Sequence, residues 1–147
     1  MKSEPTTYSI DDLKRVPQQT DHWEGVRNYQ ARNFMRDDMR KGDLAFFYHS
    51  NCEVPGIVGI MEIARESYPD FTALDPHSQY YDPKSTPERP RWFMVSVHFI
   101  QKFKATLSLG ALRSYPPLQN MVLLKPGNRL SITPLSPAEW QFILTLT

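Results

Sequence analysis

One cysteine in the whole chain, Cys52, leaves no pair for an internal disulfide and too few thiolates for a cysteine-built zinc site. A lone thiol fits a reducing compartment, so the cytoplasm is the expected location. Long hydrophobic runs are missing as well. No stretch approaches the ~20 apolar residues of a membrane span, and Met1-Lys2-Ser3-Glu4-Pro5 lacks the apolar core of an export signal. A soluble chain with no membrane partner is expected. Neither sign of charge dominates, since 17 Lys and Arg stand against 16 Asp and Glu. That balance excludes a protein that coats nucleic acid by bulk charge, and any polyanion contact has to be local. The 6 glycines are dispersed and form no phosphate-cradling loop, so nucleotide-driven chemistry lacks its usual marks and no cofactor is expected.

What is present is proline and aromatic side chains: 13 prolines with 12% Phe, Trp and Tyr describe a rigid, loop-rich α+β domain rather than a helical bundle. A length of 147 residues fits one domain, 1–147, and no internal repeat divides it. Lys2 to Tyr8 reads as a short extended opening segment. Ser9-Ile10-Asp11-Asp12 then reads as a capped helix start, with Pro17 ending the helix and Gln18 to Asp21 as an exposed connection. Asn28 caps a helix expected to run to about Met39. Leu44–His49 and Gly56–Ala64 are strand-like runs paired as a hairpin, with Gly59 marking a bulge or a close backbone approach. Trp92–Phe103 alternates, placing Phe93, Val95, Val97 and Phe99 on one face. Before it, Tyr68–Arg91 holds Pro69, Pro76, Pro83, Pro87 and Pro90, which predicts an irregular loop docked on the body as a lid. Short capped helices are expected at Ser108–Ser114 and Ser136–Leu144, with a strand over Arg129–Thr133. Elements in this order lack regular strand–helix alternation and predict a mixed β-barrel flanked by short helices.

The chemistry concentrates in Trp23–Phe34. Trp23 and Tyr29 offer flat apolar faces, Asn28 and Gln30 carry donors and acceptors that match a base edge, and Arg27 and Arg32 suit phosphate. These are the parts of a base-reading pocket, while the competing reading has Trp23 and Tyr29 filling the core beside a helix start. His49 and Cys52 lie three residues apart, which raises metal or Cys–His nucleophile chemistry. A zinc site needs about four ligands, however, and the other histidines are scattered. Asp11-Asp12 and Asp37-Asp38 are adjacent pairs, read as solvated surface because neighbours on a helix point apart. Lys84, Arg89 and Arg91 accompany Trp92 in a pattern that suits a nucleic-acid strand, diluted by Asp75, Asp82 and Glu88.

Several stretches together resemble the EVE domain family. They are Met1–Pro5, Trp23–Asn33, Phe47–Cys52, Pro55–Ile57, Tyr81–Pro83, Pro90–Trp92 and Arg129–Ser131, of which WEGVRNYQARN is the most specific. The resemblance implies a PUA-like barrel related to the YTH fold. It also implies a non-catalytic reader of a modified base, notably 5-modified cytosine, in DNA rather than RNA. Carried onto this chain, the pocket lies near Ser3, Trp23, Asn28, Tyr29 and Tyr48-His49-Ser50, with Tyr81 from the long loop as a wall. Arg27 and Arg32 then stand at its mouth, and a monomer is expected. The alternative is a small-molecule-binding protein or an enzyme that uses the same cleft with Cys52 or His49.

Overall fold

The computed structural model describes residues 1–147, and its centre is a five-stranded mixed sheet. In chain order the strands are β1 (Lys2–Ser3), β2 (Thr20–His22), β3 (Leu44–His49), β4 (Gly56–Pro69) and β5 (Phe93–Ser108). Their order across the sheet is β1-β3-β4-β5-β2, with β1 parallel to β3 and the other pairs antiparallel. The expected hairpin is β3–β4, and β4 and β5 run longer than the sequence suggested. Register shifts at Ile57/Gly59, Ile60/Met61 and Ile63/Arg65 bend the long pair. Gly59 meets both expectations, because a Cβ there would collide with the Gln101 carbonyl and the Ile10 side chain.

Alternation along β3 explains how both faces of the sheet are filled. Phe47 turns to one face and Phe46 and Tyr48 to the other, which is why this strand reads as a continuous apolar run. On the Phe47 face, α1 (Ile10–Arg15) buries Ile10 and Leu13, and α2 (Tyr29–Asn33) buries Ala31. On the Phe46 face, α3 (Leu109–Arg113) buries Leu112 and α4 (Pro137–Leu144) buries Ile143. The result is a sheet between two layers of short helices.

The caps at Ser9, Asn28, Ser108 and Ser136 all form as the sequence predicts, those at Ser9 and Ser136 as full capping boxes. Three expectations change. The sheet stays open, because its edges β1 and β2 have two and three residues and do not pair with each other. The helix after Asn28 is α-helical only to Asn33 and continues as a π-turn over Phe34–Asp38. Residues 129–133 form no strand: Ser131 accepts one bond from the Lys2 amide at 2.7 Å, and a two-residue β1 offers no ladder to extend.

Candidate nucleic-acid interface

β2 ends at His22, but its pairing with β5 continues through Trp23, whose amide donates to the Val95 carbonyl at 2.8 Å. This fixes the Trp23 backbone to the sheet. Its indole is only 7% exposed and packs edge-on against Phe47, with ring centroids 5.3 Å apart. Trp23 also lines a cavity of ≈ 690 Å³, so the two readings of this residue merge: it belongs to the buried core and borders the cavity. A cavity of that size accommodates a single nucleobase with its sugar.

The cavity is built from five chain segments. Ser3 and Tyr8 come from the N-terminal segment, Asp21 to Asn28 from β2 and the loop after it, Ser50 from the end of β3, and Gln79 and Tyr80 from the long loop. Arg129 and Ser131 complete the rim. Polar groups in it are held firmly. The Ser3 hydroxyl donates to the Tyr8 carbonyl at 2.7 Å, and the Tyr8 hydroxyl donates to Asp21 Oδ2 at 2.7 Å. Burial, reinforced by that bond, pushes the Tyr8 phenol well above its usual value, so it stays a donor. Asn28 Oδ1 accepts from the Ala31 amide at 3.1 Å as the α2 cap, which leaves the Asn28 amide N–H groups for the cavity.

The long loop is joined to this site by a buried clamp that sequence reasoning missed. Asp70, 2% exposed, accepts from the Gly25 amide at 3.0 Å, from Arg27 Nη1 at 3.0 Å, and from the Thr72 amide and hydroxyl. Burial alone would raise the Asp70 carboxyl; the Thr72, Gly25 and Arg27 donors outweigh it and hold the group below the usual carboxylate range. Arg27 also donates to the Tyr80 carbonyl at 2.8 and 3.2 Å. Gly25, at φ +82°, admits the Tyr80 ring where a Cβ would lie 2.6 Å from it. The only sequence sign of this clamp was Asp70 standing two residues before Thr72, a capping pattern with no hint of a distant partner.

The expected site residues therefore divide. Ser3, Trp23, Arg27, Asn28 and Ser50 all line the cavity. Arg27 is there as a clamp with its donors taken, not as a free phosphate ligand. Arg32 is likewise engaged, donating to the Arg91 carbonyl at 2.8 Å and to Asn33 Oδ1. Tyr29 lies outside the cavity, stacked on Trp92 at 4.8 Å with the Arg32 guanidinium 4.7 Å from its ring. Tyr48 is also outside, because strand alternation sends it to the opposite face of the sheet. His49 is outside too: its Nε2 accepts from the Ile10 amide at 3.1 Å and anchors the start of α1. Tyr81 is exposed and lies outside the cavity, and its neighbour Tyr80 lines it instead.

No group of three or more His, Cys, Asp or Glu side chains is arranged to hold a metal ion. Among the cations lining the cavity, Arg27 is paired with Asp70, and the Lys2 ammonium lies toward the Tyr48 ring, 5.8 Å from its centroid. Arg129 is the exposed cation left on the rim.

Comparison with known proteins finds similarity over nearly the whole chain. The EVE domain family model matches residues 1–146. Human thymocyte nuclear protein 1 is 47% identical over 163 aligned residues, covering 99% of this chain and 72% of the human protein. A crystal structure of a Pseudomonas putida protein is 48% identical with a TM-score of 0.95, covering 99% of this chain and 96% of that one. The human THYN1 protein, solved in complex with 5-methylcytosine-containing DNA, superposes with a TM-score of 0.94 at 47% identity, covering 99% of this chain and 94% of that one. With the match running end to end and the WEGVRNYQARN stretch building both the cavity wall and the clamp behind it, the chain belongs to the EVE domain family.

Proposed function

We propose that this protein binds DNA and reads 5-methylcytosine, taking one flipped base into the cavity beside Trp23 without acting on it chemically. The observation that carries the reading is the likeness over the whole chain to a human protein solved with 5-methylcytosine-containing DNA. The cavity is consistent with it in size and in the mix of an aromatic edge with fixed polar groups. Removing a base from the stack costs a few kcal/mol, and aromatic contact in the cavity returns ~1–3 kcal/mol per base, so polar contacts have to supply the rest.

A binding titration with DNA oligonucleotides that differ only in one cytosine or 5-methylcytosine tests this. Tighter binding of the methylated strand is expected, and the same sequence as RNA should bind less well. Equal affinity for both DNA strands overturns the reader assignment.

A further inference from the structure

We infer that Asp21 is the residue by which the cavity separates an amino-bearing pyrimidine from an oxo-bearing one, accepting a hydrogen bond from the 4-amino group of 5-methylcytosine and thereby rejecting thymine. The inference rests on the base-reading function proposed above. Thymine is the demanding competitor, because it has the same ring and the same 5-methyl group. Only the polar edge differs: cytosine presents an amine at position 4 and an acceptor at N3, whereas thymine presents an oxygen and an N–H. Aromatic contact and an apolar wall treat the two alike, so discrimination needs a polar group that is already fixed in place.

Asp21 is such a group. It lies on β2 opposite Val97, lines the cavity next to Trp23, and has a side chain 25% exposed. Tyr8 donates to Oδ2 at 2.7 Å, the His22 amide donates to Oδ1 at 2.8 Å, and the His22 ring Nδ1 is 3.1 Å from the same oxygen. A carboxylate has about four acceptor positions, so Oδ2 retains capacity for one further donor. The other carboxylates in the cavity are less fixed. Glu4 and Glu24 are exposed and longer, with Glu4 receiving Asn51 and Glu24 lying beside His22. Asn28 complements Asp21, since its oxygen is committed to the α2 cap and only its N–H groups remain. In hydrogen-bonding sense, an acceptor from Asp21 suits cytosine's amine and a donor from Asn28 suits its N3, and thymine reverses both senses.

The test measures affinity for three oligonucleotides carrying cytosine, 5-methylcytosine or thymine at one position, with wild type, Asp21→Asn and Tyr8→Phe. Wild type should prefer 5-methylcytosine to thymine by about tenfold or more, the scale of one charge-assisted hydrogen bond. Asp21→Asn, which can turn an N–H toward the base, should bring that ratio close to unity. Tyr8→Phe keeps the carboxylate but frees it to rotate, and should lower the ratio by a smaller factor. Because each ratio is measured within one protein, loss of folded material does not affect it. Should Asp21→Asn fail to fold, the Tyr8→Phe ratio decides. An unchanged preference for 5-methylcytosine over thymine in the variants overturns the role of Asp21 while leaving the reader function standing. A wild type that binds none of the three overturns both.

Discussion

At the scale of single residues, the side chains that looked most like ligands are in part structural, and this changes what their substitution should do. Trp23 is a core residue that also lines the cavity, so Trp23→Ala should lower stability by ~3–5 kcal/mol as well as weaken binding. A melting curve and a titration on the folded protein check the two effects separately. Arg129 is the uncommitted cation on the rim, so it and not Arg27 or Arg32 is placed to meet phosphate. Arg129→Ala should weaken all oligonucleotides alike and reduce the salt slope of binding by about one unit or less. A changed base preference with an unchanged slope would show that Arg129 reads bases. Cys52 is a partly exposed free thiol that does not line the cavity. Cys52→Ser should bind as wild type, and loss of binding in a normally folded variant would revive the enzyme alternative.

At the scale of elements, the long loop is held to the body by Asp70 and Arg27, two residues that no local pattern links. Removing one partner strands the other in a buried position. Asp70→Asn should therefore destabilise by about 3 kcal/mol or more and loosen Tyr80 from the cavity wall, which hydrogen exchange over residues 71–82 would report. Gly25→Ala should act on the same wall by a different route, combining a left-handed backbone with a collision against the Tyr80 ring. A melting temperature equal to wild type would show that Tyr80 can swing away at no cost. The helix starts, by contrast, were legible residue by residue, because a cap is satisfied within three or four positions of itself.

For the whole molecule, several native groups favour folding only when deprotonated. Asp70 has its carboxyl held low despite burial, and Lys102 lowers that of Asp11. Burial lowers His49, whose Nε2 must be unprotonated to accept from Ile10. In each case the folded value lies below the unfolded one, so the stabilisation is full above the unfolded value and is lost as pH falls through the folded one. Stability should decline in two stages on acidification, first as pH falls below the ordinary histidine range toward the lowered folded value of His49, and then below the ordinary carboxylate range toward those of Asp70 and Asp11. Melting temperature against pH checks this, and a His49→Gln variant should lack the first stage. From the sequence alone come the α+β class, the capped helices, the three main strands, and, through the WEGVRNYQARN run, the family and the region of the cavity. Local features of this kind are decided by periodicity, caps and turns, which act over a few residues. Only the tertiary structure decides that Tyr48 and His49 leave the cavity, that Arg27 and Arg32 are already engaged, and that Tyr8, Asp21, Tyr80 and Arg129 enter it. Those outcomes depend on which face a strand presents and on which distant carboxylate meets a given guanidinium, and neither is encoded in the neighbours of the residue concerned.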